Sequence, residues 1–497
     1  MKINMANQSI TKFDCDIIIV NLFEGVKSPA GATGAVDKAL DGMISKLIKT
    51  GEITGKLGKT TVIHTFNKLK ALRVMVVGLG KAANFGLEEI RKAAGAAATT
   101  AQEIKARKVG TIVHGAGIGG IRPAQATQSL VEGTVLALYE FSEYKKPKKN
   151  GIEEFCIVET DKGKIKALQK GEKIGQIIAK AQNAARDLIN EPANNLTPKK
   201  LDQRIRKFIT YAKLQDVIEY KVLDNKEMRK QRMGALLSVS QGSDNDPQFI
   251  ILRIKNSKRP LVCLIGKAVT FDSGGISLKP PIGMEQMKGD MSGGAAVIGA
   301  TLALAELKSN INLMTIIPAV ENMPSGKASR PGDIVKAMNG KSIEIISTDA
   351  EGRMTLADAI CYAEKMKAKT IIDIATLTGA CVIAFGDIAA AVMGNDQRLI
   401  ETLLSVSKRT GEKMWQLPLF EEYKEQMKSN VADMQNSGGR KAATITAGIF
   451  LQSFVDKAKW LHIDVAGKEL SEKRNFYTPK GGTGFGVRTL TEFLTKM

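Results

Sequence analysis

Two short stretches gather the residues best suited to chemistry. The first, Gly266–Lys279, carries Lys267, Asp272 and Lys279, with Gly274 and Gly275 permitting tight backbone turns between them. The second, Ser347–Arg353, carries Asp349, Glu351 and Arg353. Asp290 stands between the two, just ahead of an alanine- and glycine-rich run. Carboxylate oxygens are hard ligands that suit divalent cations. Three Asp and one Glu could hold two ions, with shared carboxylates bridging them, a device that activates water and clamps a tetrahedral intermediate. The same acids also suit loops and helix N-caps. Spacing alone leaves both readings open.

Such residues need a scaffold, and apolar patterning supplies one. Leu261–Ile265 precedes the first stretch and Ile343–Ile346 the second, both reading as buried strands. Further strands are expected at Leu236–Val239, Phe249–Ile254, Leu313–Ala319 and Thr370–Ile374. Helical runs fall at Gly293–Leu307, Met354–Met366 and Leu399–Ser407. Upstream, Ile17–Val20, Thr61–Thr65, Val74–Val77 and Thr111–Val113 read as strands, and Leu87–Lys105 and Gln125–Tyr139 as helices. Lys145–Asn150 is charged, broken by proline, and reads as a loop. An amphipathic pattern from Lys164 to Asn190 ends before Pro192. The alternation predicts an α/β protein of two domains: a smaller one over 1–160 and a larger one over 191–497, with a helix over 161–190 between them in the sequence. The larger domain should carry a mixed, mainly parallel sheet flanked by helices, with its site at the strands' carboxyl ends.

Several glycine patterns in the first domain imitate nucleotide-binding loops. Gly78 and Gly80 follow a strand, but no acidic residue ends a second strand at the required distance. Gly115, Gly117 and Gly120 fit a G-x-G-x-x-G spacing, yet Pro123 follows so closely that an opening helix is not expected. Gly58, Lys59 and Thr60 resemble a P-loop's tail without its first glycine. All three read as plain turns. His64, His114 and His462 are far apart, which excludes an H-E-x-x-H zinc site, and His462 reads as a buried structural residue. Ser273 and Ser277 lack a partner for a hydrolytic triad. The cysteines, 5 in number and without a C-x-x-C pair, read as reduced core thiols.

A net charge of +21 and a pI near 9.6 would attract polyanions without specificity. With 7 Tyr and 2 Trp, the chain lacks the aromatic interleaving of single-strand binders. No apolar run approaches a membrane span, and Ile17–Val20 is too short for a signal segment, so a cytoplasmic protein is expected.

Residues 266–279 read GKAVTFDSGGISLK and residues 347–354 read STDAEGRM. With DMSGGAAV at 290–297, DIATLTGAC at 373–381 and RDLINEP at 186–192, they resemble the leucyl aminopeptidase (cytosol aminopeptidase) family. Ala268, Ser347 and Met354 depart from the family's usual Gly, Asn and Leu, and none removes a ligand. The resemblance implies two divalent ions, Mn²⁺ or Zn²⁺ with Mg²⁺ as a further candidate, held by Lys267, Asp272, Asp290, Asp349 and Glu351. It implies that Lys279 stabilises the tetrahedral species and that Arg353 holds a bicarbonate acting as general base. It implies that the helix over 161–190 links the two domains. It implies hydrolysis of N-terminal residues, leucine and other mainly apolar ones, from peptides, and places Met287, Thr376, Leu377, Gly379 and Ala466 around the first side chain. Lys468 and Glu469 stand where relatives often have small or apolar residues, which weakens the expectation of a strict leucine preference. A homohexamer is implied as well. The alternative is a DNA-binding regulatory protein using the basic surface; a two-metal phosphoesterase would fit the carboxylates but not these loops.

Overall fold

A run of Ile-Ile-Ile-Val at Ile17–Val20 can be buried only if both faces of its sheet are covered. That is what the computed structural model shows. It describes residues 1–115, 120–146 and 151–497. Gly117 of the second glycine pattern, and residues 147–150 of the expected loop, lie outside the described residues. The chain divides into two units, Met1–Lys180 with Lys473–Lys480, and Ala181–Glu472 with Gly481–Met497.

The first unit contains β1 (Lys2–Ala6), β2 (Ile17–Leu22), β3 (Thr60–His64), β4 (Arg73–Gly78), β5 (Lys108–Thr111) and β6 (Glu154–Val158). They form one sheet in the order β1-β6-β5-β2-β4-β3, parallel except at β3. Its helices are α1 (Gly31–Ala39), α2 (Met43–Lys49), α3 (Leu87–Glu103), α4 (Pro123–Ala137) and the start of α5 (Lys162–Asn190). Ile17 and Ile19 pack with residues of α3 and α4, while Ile18 and Val20 pack with residues of α1 and α2. Two expectations are corrected here. The strand placed at Thr111–Val113 runs Lys108–Thr111 instead, the stretch that pairs with Ile17–Ile19 of β2 and Glu154–Ile157 of β6. Pro123 does not prevent a helix but opens one at its first turn, where its missing N–H has no helical partner to lose.

In the second unit, α5 is followed by α6 (Pro198–Tyr211), β7 (Glu219–Leu223), α7 (Asn225–Lys230), α8 (Gly234–Ser240), β8 (Gln248–Lys255), β9 (Val262–Gly266) and β10 (Ala268–Asp272). Next come α9 (Ser292–Glu306), β11 (Asn312–Asn322), β12 (Ile334–Lys336), β13 (Ser342–Glu344), α10 (Glu351–Lys365) and β14 (Thr370–Ala375). The chain closes through α11 (Gly379–Phe385), β15 (Ala390–Gly394), α12 (Gln397–Thr410), β16 (Met414–Gln416), β17 (Met434–Gln435), α13 (Ala443–Gln452), β18 (Lys459–Asp464), β19 (Leu470–Ser471), β20 (Gly481–Gly482) and α14 (Val487–Lys496). The large sheet runs β16-β15-β18-β14-β9-β11-β8-β7, with β10 paired to β11. Its centre, β18-β14-β9-β11, is parallel; β15, β8 and β7 enter antiparallel. Alanine and glycine let α9 lie buried from Ser292 to Ala305 beside these strands: a Cβ on Gly293 would stand 2.1 Å from the Ile374 carbonyl oxygen.

Leu236–Val239 is not a strand. It is the helix α8, whose buried Ala235, Leu236 and Val239 face α10 at helical spacing, and the Leu236 N–H donates to the Asp358 carboxylate at 2.8 Å. Ile343–Ile346 is only partly extended. β13 spans Ser342–Glu344 in a separate three-stranded sheet with β12 and β17, not in the large one. Among the described residues no helix is long and apolar enough to cross a membrane.

Candidate metal centre

Strand ends deliver most of the chemistry. Lys267 directly follows β9, Asp272 ends β10, Thr376 follows β14, and Ala466 lies two residues beyond β18. Asp290 closes a 3₁₀ turn, Met284–Gly289, which carries Met287 and leads into α9. Asp349 lies in the loop before α10, and Glu351 and Arg353 belong to that helix's first turn. Gly379 opens α11, with open space where a side chain would project.

These side chains converge. One oxygen each from Asp272, Asp290 and Glu351 lies within 4.8 Å of the others. Lys267 Nζ sits 2.8 Å from Asp290 Oδ1, 2.7 Å from Glu351 Oε1, and donates to the Thr376 carbonyl at 2.8 Å. Lys279 Nζ reaches Asp272 Oδ2 at 2.8 Å and also pairs with Asp349 Oδ1. Gly352 makes room for this: a Cβ there would fall 2.6 Å from Lys267 Cε. Asp272 Oδ1 is steadied by the Gly274 N–H at 2.9 Å and by Asn322 Nδ2 at 2.8 Å. Thr376 Oγ1 donates to Asp290 Oδ1 at 2.7 Å, while Asp290 Oδ2 is buried without a hydrogen-bond partner.

Burial and like charge set the protonation of the acids. Burial, reinforced by Glu351, pushes the Asp272 carboxyl up to about 6. Burial also carries Asp290 well above the carboxylate range, against the pull of Lys267. Asp349 is raised by burial too. Glu351 goes the other way: burial opposes ionisation, but Lys267 and Lys279 outweigh it and hold the carboxyl at about 2. Burial would lower Lys267, yet Asp290, Glu351 and Asp272 keep its ammonium above the ordinary lysine value. Burial and like charge thus disfavour the ionised forms of Asp272, Asp290 and Asp349, and added positive charge would favour them.

Arg353 is buried, with one guanidinium nitrogen donating to the Asn436 carbonyl at 2.8 Å and Nε unpartnered. Burial lowers it to about 10. Leu377 and Ala466 are brought together because both backbone N–H groups donate to Asp464 Oδ1, at 3.0 and 3.1 Å. Met287 lies three residues before Asp290, on the turn described above. Sequence reasoning missed Asn322, Asn436 and Asp464. Each orients a predicted residue rather than joining the cluster, and the one signal for them was their place beside strand ends. His462 is buried as expected, with Nδ1 2.5 Å from Asp373 Oδ1, but its Nε2 finds no partner.

Carboxylates and lysines converging beside the ends of β9, β10 and β14 form a donor set of the kind that metal-dependent hydrolases use. Residues 183–491 match the catalytic domain of the cytosol aminopeptidase family and residues 19–148 its N-terminal domain, so the chain belongs to that family. It is a metal-dependent aminopeptidase. The probable cytosol aminopeptidase of Alkaliphilus oremlandii (strain OhILAs) is 40% identical, with 100% of both chains covered. That of Geotalea uraniireducens (strain Rf4) is 45% identical over 92% of each. Among solved structures, a mutant of tomato leucine aminopeptidase has a TM-score of 0.89 at 32% identity, covering 100% of this chain and 97% of its own. The bottromycin maturation enzyme BotP in complex with Mn has a TM-score of 0.85 at 33% identity, covering 97% of this chain and 99% of its own.

Proposed function

We propose that the chain removes N-terminal residues from peptides using two divalent ions held by Lys267, Asp272, Asp290, Asp349 and Glu351. The observation that carries this is the convergence of Asp272, Asp290 and Glu351 within 4.8 Å, with the buried Asp290 Oδ2 unpartnered. Such a donor set fits hard or borderline cations such as Mn²⁺, Zn²⁺ or Mg²⁺. Bound there, the ions supply Lewis acidity and make water a nucleophile near neutral pH. Lys267 can join as a ligand only as a neutral amine, after losing the proton that the surrounding carboxylates favour.

Lys279 has a different task. It is one-fifth exposed at the cluster's open side and followed by Pro280 and Pro281, which stiffen its loop. Its ammonium stabilises negative charge as it develops on the carbonyl oxygen. Arg353 suits a small anion: its guanidinium is buried, charged and has an unpartnered Nε. A bicarbonate held there would accept the proton released during attack. Met287, Thr376, Leu377, Gly379 and Ala466 line the pocket for the first side chain. Prolonged chelation should abolish hydrolysis of leucinamide, and Mn²⁺, Zn²⁺ or Mg²⁺ should restore it. An acetylated dipeptide should not be cut. Full activity in metal-free protein would overturn this reading.

The family resemblance further supports a cytoplasmic homohexamer, which light scattering would test by a mass near six chains. The +21 charge supports weak DNA binding as a second activity. Its affinity should fall steeply with salt and ignore sequence; a tight, sequence-selective gel shift at physiological salt would point to a regulatory role instead.

A further inference from the structure

Two and three residues after Ala466, which is proposed for the side-chain pocket, stand Lys468 and Glu469. Their surroundings differ. Lys468 donates its ammonium to the Asp387 carbonyl and lies over the Phe485 ring, 5.6 Å from its centroid. Burial lowers the Lys468 pKa, and the nearby carboxylates of Asp387, Glu412 and Glu469 act the other way. Glu469 lies instead against the turn that carries Met287: a Cβ on Gly289 would stand 3.6 Å from Glu469 Cγ. Asp290 is the next residue along that turn. Burial raises the Glu469 carboxyl, with its own backbone N–H and that of Gly467 pulling the other way. Its Oε2 is buried and has no hydrogen-bond partner. A buried acceptor left unpaired is costly, and such an orphan invites a donor from outside the chain.

We propose that Glu469 makes this enzyme select peptides whose first residue is lysine or arginine, its carboxylate receiving the cationic head. The inference rests on the aminopeptidase reading above and deepens it by naming the substrate class. Lysine and arginine suit such a pocket in both parts: the apolar stem packs beside Met287 and Ala466, and the head reaches the buried acid. Leucine fills the apolar part but leaves the carboxylate's Oε2 desolvated and without a donor. Sites built around a polar partner reject an analogue that lacks it far more strongly than an apolar pocket rejects a missing methylene. A lost charge-assisted hydrogen bond corresponds to a change on the order of 10- to 100-fold in kcat/KM.

The test compares kcat/KM of the Mn²⁺-loaded enzyme on lysinamide, argininamide and leucinamide. The wild type should favour the two cationic amides. Glu469→Gln keeps the shape and removes the charge, so the lysine-to-leucine ratio should fall by about 10- to 100-fold. Glu469→Asp should retain part of the preference, and Glu469→Lys should reverse it. Mn²⁺ content and thermal midpoints report whether each variant is intact. A wild type that favours leucinamide overturns the proposal and leaves the aminopeptidase reading standing, as does an unchanged ratio in folded, Mn²⁺-loaded Glu469→Gln. No hydrolysis of any amide by the Mn²⁺-loaded wild type would remove both.

Discussion

Lys267 and Lys279 share one carboxylate cluster, yet their settings differ, and the roles proposed for them differ accordingly. Lys267 is 2% exposed and has Asp290, Glu351 and the Thr376 carbonyl as partners, so it belongs to the interior. Lys279 is one-fifth exposed, as its proposed contact with a substrate carbonyl requires. Lys279→Ala should therefore keep its metal content while turnover falls on the order of 10²- to 10³-fold, as for a lost oxyanion donor. Glu351→Ala should lose metal and activity together. Metal analysis beside initial rates separates the two, and metal loss in Lys279→Ala would break the assignment. The acids and lysines were legible in the sequence because they crowd into short stretches with a recognisable pattern. Asn322, Asp464 and Asn436 were not, because they act on residues 50, 87 and 83 positions away. A single Asn or Asp at a strand end carries no local pattern.

Among the elements, α10 matters most, since its first turn carries Glu351 and Arg353. Two features hold it in place. Gly352 lets the Lys267 side chain cross the helix start at a distance that a Cβ would forbid. Gly352→Ala should displace that flexible amine and leave the helix intact. Metal affinity should drop by roughly 10- to 100-fold, the usual effect of disturbing a group that orients ligands, while the thermal midpoint of chelated protein changes little. Asp358, fully buried in the middle of α10, accepts the backbone N–H of Leu236 at 2.8 Å and of Met338 at 2.7 Å. Asp358→Ala orphans both donors and should cost about 2–4 kcal/mol in chemical denaturation. That same contact explains why the sequence misled at Leu236–Val239. A short apolar run is ambiguous between strand and helix, and what decides it here is a carboxylate 122 residues away. β9, β11 and β14, by contrast, were plain: continuous apolar runs of strand length are what a parallel sheet covered on both faces requires.

At the scale of the whole molecule, the first unit holds no member of the proposed site, so its stability must be tested apart from metal binding. His114 offers a handle. It is 1% exposed, with Nδ1 3.1 Å from Asn21 Nδ2, and burial lowers its pKa to about 4. Folding holds the ring neutral, whereas the unfolded chain protonates it near 6.5. Between those values the unfolded state binds more protons, so the stabilisation is complete above pH 6.5 and is lost as pH falls toward 4. The loss amounts to about 3 kcal/mol. Both tryptophans, Trp415 and Trp460, lie in the second unit, so their fluorescence does not follow the first. Far-UV circular dichroism follows both. On acidification in chelator, part of the dichroism should disappear between pH 6.5 and 4 ahead of the tryptophan signal. His114→Gln keeps a polar group for Asn21 without a titrating ring, and should remove that early phase. Coincident loss of both signals in the wild type, or an early phase that survives in His114→Gln, would show that His114 does not set the acid limit of the first unit.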